Sequence, residues 1–145
     1  MIGLIQRVTR ASVTVEGEIV GQIDGGLLAL IGVEKSDTKQ KADRLTERML
    51  NYRVFADADG RMNLSLRDIQ AGLLLVPQFT LVADTSKGNR PGFSNGASPE
   101  MGNYWFDYLL DRAAREHIKV ASGIFGADMK VELLNDGPVT FWLQT

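Results

Sequence analysis

The sequence predicts an α+β fold, in which a curved, largely antiparallel β-sheet or barrel-like core carries two packed helices. Three observations lead to this class. Segments with strand character outnumber those with helical periodicity, the two helical segments lie between groups of strands, and no linker or repeat divides the 145 residues. A chain of this length with 44% hydrophobic residues can bury one core, so residues 1–145 are predicted to form a single domain.

The N-terminal third predicts successive strands. Apolar and polar residues alternate over 2–8 and 12–15, and Glu16-Gly17 predicts a turn into a further strand over 18–23. The run GLLALIGV, residues 26–33, is apolar throughout, which is typical of a strand buried on both faces.

Two segments have the pattern of amphipathic helices. The first begins near Asp37 or Thr38, and the second has Ser98 as N-cap and Pro99 at its first helical position. His117, near the end of the second helix, is expected to serve the last carbonyls as a cation or donor. The residues expected to face the core are Ala42, Leu45, Met49 and Tyr52 in the first helix, and Met101, Tyr104, Trp105, Tyr108, Leu109 and Arg112 in the second.

The remaining strand signals follow each helix. Residues 57–60, DADG, predict a tight turn, because the later ligands of a calcium loop are missing. An apolar strand candidate over 72–84 is interrupted by Pro77. After the second helix, strand character returns over 118–123, 129–135 and 139–144.

Composition excludes several chemistries. The chain has no cysteine, which excludes disulfides and thiolate nucleophiles. Its single histidine, His117, leaves too few ligands for an ordinary zinc site, and no metal or cofactor is predicted. Catalysis is left to hydroxyls, carboxylates, backbone amides or the substrate. The alternating N-terminus does not have the pattern of a signal peptide, and no apolar run is long enough to span a membrane, so a cytoplasmic location without membrane contact is expected.

The overall charge does not indicate nucleic acid, since the net charge is −2 and the pI about 5.4. Two local basic segments stand out, a loop with Lys87 and Arg90 and a helix face over 38–48. Both are interpreted as solvated surface, with a local binding patch as the alternative.

Two prolines interrupt strand candidates, Pro77 and Pro138. Proline removes a donor from the strand ladder, so each marks either an edge or bulge, or a place where backbone groups are freed for another role. Gly137 beside Pro138 permits an unusual backbone, and a cis peptide bond between them is one of the options.

These interruptions carry a family resemblance. PQFTLVADT, residues 77–85, resembles the Ser-Gln-Phe-Thr-Leu motif of the D-aminoacyl-tRNA deacylases, and NDGPVT, residues 135–140, resembles their Asn-X-Gly-Pro-Val-Thr motif. Four further segments are similar to that family in the same order: residues 1–18, 61–66, 84–94 and 125–140. The resemblance therefore spans essentially the whole chain.

The resemblance implies an editing hydrolase that cleaves the ester of D-aminoacyl-tRNA, and of mischarged glycyl-tRNA, while sparing L-aminoacyl-tRNA. It implies a homodimer with active sites at the interface, where one protomer inserts a cis Gly137-Pro138 pair into the site of the other. It further implies that Asn135 belongs to the substrate-binding motif, that Arg7 braces the Gly-Pro turn, and that Phe125 and Met129 pack on the terminal adenosine. The implied partner is the 3′ end of tRNA.

The residues after Pro77 are the candidates for catalysis. The backbone amides of Gln78, Phe79 and Thr80 are the expected donors to an oxyanion, because Pro77 ends the strand pairing before them. Thr80 as a covalent nucleophile is the alternative, but it needs an adjacent base, and the only histidine lies on another element. In the family's account, the tRNA 2′-hydroxyl assists the attacking water.

One position departs from the family pattern. The first motif usually begins with serine, where this chain has Pro77, so the serine hydroxyl and amide are missing. Fold and chirality selection are expected to survive. Two other functions stay open, a non-catalytic tRNA-binding dimer and a general threonine hydrolase that uses Thr80.

Overall fold

The computed structural model describes residues 1–145 and confirms the α+β class, as a curved, nearly closed sheet with helices packed on it. None of the helices is both long enough and apolar enough to cross a bilayer. The strands are β1 (Ile2–Val15), β2 (Glu18–Ile23), β3 (Gly26–Gly32), β4 (Phe55–Ala56), β5 (Met62–Leu64), β6 (Gly72–Pro77), β7 (Val120–Ser122) and β8 (Lys130–Gln144). The α-helices are α1 (Lys39–Asn51), α2 (Leu66–Ile69) and α3 (Pro99–Glu116), and a 3-10 helix spans Phe79–Val82.

The main sheet has the order β2-β1-β3-β6-β7, with β8 on the other side of β1. β1 pairs antiparallel with β2, β3 and β8, whereas β6 pairs parallel with β3 and with β7. The predicted strands over 2–8 and 12–15 are one continuous strand, because β1 leaves β3 at Val8 and joins β2 at Ala11. This change of partner curves the sheet.

The curvature brings the two ends of the sheet, β2 and β7, together. A Cβ on Gly21 of β2 would lie 2.4 Å from the carbonyl oxygen of Ser122 in β7, so only glycine allows this approach. The second close contact is at the start of β3, where a Cβ on Gly26 would lie 1.9 Å from the carbonyl oxygen of Gly72. Gly21 therefore allows the two ends of the sheet to approach, and Gly26 allows β3 and β6 to approach where they begin.

The core occupies both faces of β3, as its apolar run predicts. On one face, Leu27, Ala29 and Ile31 pack with α1 and α3 in the larger cluster. On the other face, Leu28 joins residues of β1 and β6 in a smaller cluster inside the curve of the sheet.

Both main helices begin where the sequence predicts. Thr38 and Ser98 cap them, each accepting a hydrogen bond from the backbone amide three residues on. The predicted inward face of α3 is confirmed at Leu109, and Trp105 and Tyr108 pack against the core, but the prediction is wrong at Met101 and Tyr104, which are exposed. The buried residues of α3 are Gly102, Phe106, Leu109 and Ala113.

His117 does not serve the carbonyls at the end of its own helix. Its ring Nε2 lies 2.5 Å from the carbonyl oxygen of Ala71, just before β6, and the side chain is buried. The backbone N–H of His117 donates to Ala113 and closes α3 instead. The single histidine thus ties α3 to the start of β6.

Asp43 joins α1 to α3. It accepts a hydrogen bond from the Tyr108 hydroxyl at 2.6 Å, pairs with Lys39 at 2.9 Å and contacts the Arg112 guanidinium. Hydrogen bonds from Tyr108 and Lys39 lower the pKa of Asp43 from 3.8 to about 2. The folded state therefore gains stability from this carboxylate above its ordinary pKa, and loses it as the pH falls through that interval.

We expect Asp43→Asn to be less stable than the wild type at neutral pH, by at most about 1 kcal/mol, because partly exposed ion pairs are screened. Urea unfolding from neutral to acidic pH measures this difference, which is expected to shrink to nothing near the lowered pKa of Asp43. A difference that is independent of pH would contradict the assignment.

Candidate active site

The Gly137-Pro138 pair lies in a wide bulge of β8. Asn135 pairs with Val8 and Thr140 pairs with Gln6, so four residues of β8 stand opposite one residue, Arg7. The peptide bond between Gly137 and Pro138 is cis, and Gly137 has φ of +136°, a conformation that L side chains rarely adopt. We refer to residues 136–139 as the Gly-Pro turn.

Asn135 holds the turn from within β8. Its side-chain oxygen accepts a hydrogen bond from the Val139 amide at 3.0 Å, and its Nδ2 donates to the Thr140 hydroxyl at 3.0 Å. Gln6 donates to the same hydroxyl at 3.2 Å. One side chain thus spans the bulge and satisfies an amide that β1 cannot reach.

Arg7 holds the turn from β1. Its Nε donates to the Asp136 carbonyl at 3.1 Å and lies 3.2 Å from the Asp136 carboxylate. Its Nη1 donates to the carbonyl of Val54 at 2.6 Å, in the buried segment after α1. The guanidinium therefore connects the turn to the core beside it.

The turn itself faces solvent. Asp136, Gly137 and Pro138 are exposed, while Val139 behind them is buried. β8 pairs only with β1, so its outer edge is free along the whole strand. Leu134, Phe141 and Trp142 are exposed on β8, with Trp142 49% exposed.

The first motif begins where β6 ends at Pro77. The Gln78 amide donates to the Ile31 carbonyl at 2.8 Å, so it is already engaged within the sheet. This corrects the expectation that three amides are available. Phe79 and Thr80 open the 3-10 helix, where the first amides have no acceptor within the helix.

The Thr80 hydroxyl accepts a hydrogen bond from the side-chain amide of Gln78. An amide N–H cannot take a proton from it, and the only histidine contacts Ala71, at the opposite end of β6. Thr80 therefore has no base beside it within the chain. Groups of three or more potential metal ligands (His, Cys, Asp or Glu) do not occur in the structure.

A small apolar pocket, which we name the aromatic pocket, opens beside the 3-10 helix. The cavity is about 70 Å³, and its lining includes Pro77, Phe79, Phe93 and Phe125. Phe79 and Phe93 pack with ring centroids 5.2 Å apart, and Phe79 is 63% exposed. The pocket thus presents an aromatic surface to solvent next to the free amides.

Phe125 and Met129, the two residues implied to pack on the adenosine, lie in different places in the structure. Phe125 lines the pocket and packs on Gly102 of α3, where an added Cβ would lie 2.9 Å from its ring. Met129 does not line the pocket, and its sulfur packs against Gly123 beside Pro77. Sequence reasoning missed Phe93, Gly102 and the Val54 carbonyl. A glycine one turn after the Ser98 cap was the one available signal.

The two motifs lie apart in a single chain. The Gly-Pro turn faces Arg7 on β1, whereas Pro77 aligns through β3 with the beginning of β1, near Ile2. Along β1, Arg7 and Ile2 are five residues apart, which corresponds to about 17 Å. Across the sheet, β8 and β6 are three strand spacings apart. Neither Gly137 nor Pro138 lines the aromatic pocket.

A family model and curated relatives place the chain in one family, and solved structures share its fold. Residues 4–144 match the family model described as D-Tyr-tRNA(Tyr) deacylase. A D-aminoacyl-tRNA deacylase of Escherichia coli O81 (strain ED1a) is 58% identical over 144 residues, covering 99% of both chains. The solved structure of a c-Myc DNA Unwinding Element Binding Protein is 37% identical with a TM-score of 0.96, covering 100% of this chain and 99% of that one. A probable eukaryotic D-amino acid tRNA deacylase, 17% identical, covers 99% of this chain and 98% of its own with a TM-score of 0.85, and shows the shared fold.

Proposed function

Since the chain belongs to the D-Tyr-tRNA(Tyr) deacylase family, it is a D-aminoacyl-tRNA deacylase, and we propose that a Gly-Pro turn acting across a homodimer gives it chiral selectivity. In this proposal it hydrolyses D-aminoacyl-tRNA and glycyl-tRNA in the cytoplasm, where tRNA is used, and spares L-aminoacyl-tRNA. The observation that carries the proposal is the Gly-Pro turn, braced from two sides yet exposed and remote from its own pocket.

Discrimination between the D and L forms of the amino acid requires that the site locate three substituents of one Cα. Backbone carbonyls that accept hydrogen bonds from the substrate ammonium would fix one substituent, and the wall they belong to would exclude a side chain of the L form. Glycine has no side chain to exclude. A discrimination of about a thousandfold requires about 4 kcal/mol, which a steric clash with an immobile wall can supply. Arg7 and Asn135 restrict the turn in the way that such a wall requires.

The separation of the two motifs supports assembly across a dimer. A turn that projects into solvent on one protomer can enter the pocket of another, and a two-fold axis makes the exchange reciprocal. The free backbone edge of β8 is available to a second copy, and Leu134, Phe141 and Trp142 add exposed apolar side chains along it, with Phe141 and Trp142 on opposite faces of the strand. Each active site would then contain the aromatic pocket of one subunit and the Gly-Pro turn of its partner.

The chemistry proposed for the pocket uses backbone groups and the substrate. Water attack on the ester develops an oxyanion, which the amides of Phe79 and Thr80 can stabilise because no helical acceptor engages them. The tRNA 2′-hydroxyl would assist the attacking water, since the site offers no side-chain base beside Thr80. The exposed ring of Phe79, with Phe125 behind it, suits stacking on the terminal adenine.

Deacylation of three matched substrates tests the proposed function. The purified protein is expected to hydrolyse D-tyrosyl-tRNA and glycyl-tRNA and to spare L-tyrosyl-tRNA. Equal hydrolysis of the D and L esters would overturn the chirality filter.

We expect Thr80→Ala to retain its kcat on D-tyrosyl-tRNA to within about tenfold, because the proposed donor is the backbone amide and not the hydroxyl. Single-turnover deacylation measures this, with Ser94→Ala as a control for an exposed hydroxyl in the nearby loop. Loss of all activity, with a covalent adduct trapped on the wild-type Thr80, would favour a threonine hydrolase instead.

A second candidate is nucleic-acid binding without hydrolysis. The name of the 37% identical structure, a DNA unwinding element binding protein, favours it, as does Pro77 in place of the family serine. Binding of tRNA by a protein that hydrolyses none of the three esters would support this candidate. Gain of hydrolysis in Pro77→Ser would then assign the loss to Pro77.

A further inference from the structure

The loop between the 3-10 helix and α3 is closed at its base. Asp84 and Gly92 exchange two backbone hydrogen bonds, from the Asp84 amide at 2.7 Å and from the Gly92 amide at 2.9 Å. The Asp84 carboxylate also accepts from the Ser86 amide at 2.9 Å, and hydrogen bonding by the Ser86 side chain and backbone lowers the pKa of Asp84. Residues 85–91 therefore form a short excursion with a fixed base, which we name the basic loop.

The basic loop carries two cations, Lys87 and Arg90, and no acid. Both side chains are exposed and neither takes part in an ion pair or a hydrogen bond within the chain. Other exposed cations, such as Arg44 and Lys130, pair with Glu47 and Asp128. The basic loop thus places two unpaired positive charges within four residues of each other, although the chain as a whole has a net charge of −2.

The basic loop stands at the mouth of the aromatic pocket. Phe93, directly after the closing residue Gly92, lines the pocket and packs against Phe79. The 3-10 helix with its two free amides ends at Val82, two residues before the loop base at Asp84. The two cations are therefore carried on a closed loop whose base adjoins the pocket.

We propose that Lys87 and Arg90 bind phosphates of the single-stranded 3′ end of tRNA and so place the terminal nucleoside in the aromatic pocket. This inference rests on the proposed function for the identity of the nucleic acid. The ester sits on the last ribose, so the nearest negative charges of the substrate are the phosphates of the last nucleotides. Free, exposed cations on a closed loop suit such contacts, because phosphate binding releases counterions without first breaking an internal ion pair.

The test compares wild type with Lys87→Ala/Arg90→Ala. Binding of uncharged tyrosine-specific tRNA is measured over a range of salt, and kcat/KM is measured on D-tyrosyl-tRNA and on D-tyrosyl-adenosine, which has no phosphate. The double variant is expected to bind tRNA about tenfold more weakly at low salt and to lose about 1.4 from the log–log salt slope. Its kcat/KM is expected to fall on the tRNA substrate and to stay unchanged on D-tyrosyl-adenosine.

Arg115→Ala/Lys119→Ala is the matched control. It also removes two exposed cations that have no ion pair. These two residues lie near the start of β6, whereas Pro77 ends that strand, so this variant is expected to bind tRNA like wild type. An unchanged salt slope in Lys87→Ala/Arg90→Ala, or equal losses on both substrates, would overturn the inference. A wild type that hydrolyses neither ester but binds tRNA through these two residues would refute the proposed function and leave the phosphate contacts standing.

Discussion

Replacing Pro138 by alanine is expected to allow hydrolysis of L-tyrosyl-tRNA, reducing the preference for the D ester from about a thousandfold to less than about tenfold, a loss of about 3 kcal/mol in discrimination. The reason is steric: the proline ring is a rigid, exposed part of the Gly-Pro turn, and alanine removes most of it. Hydrolysis of the D and glycyl esters is expected to change much less than the rejection of the L ester.

Pro138→Ala is expected to lower the rejection of the L ester more than it lowers the free energy of unfolding, because Pro138 is exposed in the protomer. Pro99→Ala is a suitable control, since Pro99 is also exposed but lies at the start of α3. Matched deacylation rates and urea unfolding measure the two effects separately. A folded Pro138→Ala that still rejects L-tyrosyl-tRNA would contradict the role given to the turn.

Arg7→Ala is expected to lose about a hundredfold in kcat/KM on D-tyrosyl-tRNA, since a displacement of a positioning group by about 1 Å can cost that much. The substitution removes the hydrogen bonds to the carbonyls of Asp136 and Val54, so the turn loses its attachment to the core. Unfolding is expected to become easier by about 1–3 kcal/mol, because the buried Val54 carbonyl is left without a donor.

Arg10→Ala is the matched control for Arg7→Ala. Arg10 lies on the same strand and carries the same charge, but its partner Glu132 is 4.0 Å away and both side chains are mostly exposed. Arg7→Lys is expected to recover only part of the activity, because one ammonium group cannot reproduce the divergent donors of a guanidinium. Equal activity in Arg7→Ala and Arg10→Ala would contradict the bracing role.

Much of the fold follows from local patterns in the sequence. The apolar run of β3, the caps Thr38 and Ser98 and the turn at Glu16-Gly17 each specify an element by themselves. The inward face of α3 could not be read in the same way, since its core contacts include Gly102 and Ala113, which contribute little hydrophobicity. These small residues allow close approach, as Gly102 does for Phe125.

The candidate site was predictable in part. The motif around Gly137-Pro138 is local, so its bulge and its contact with Asn135 follow from neighbouring residues. Val54, whose carbonyl anchors Arg7, is 47 residues away in the sequence. Because the contact uses a backbone carbonyl, the identity of the residue at position 54 does not indicate it. The hydrogen bond from the Gln78 amide to the Ile31 carbonyl likewise depends on strand register, which the residue types do not encode.

The central claim is that each active site combines the pocket of one subunit with the turn of its partner, and subunit mixing tests it most directly. Arg7→Ala impairs the turn, whereas Phe79→Pro removes a pocket amide and ring at a helix start that tolerates proline. Each variant alone is expected to have little activity, about a hundredfold below wild type for Arg7→Ala. Co-refolded in equal amounts, they are expected to recover about a quarter of wild-type activity, because about half of the dimers are mixed and each has one intact site. A mixture no more active than its components would contradict the claim.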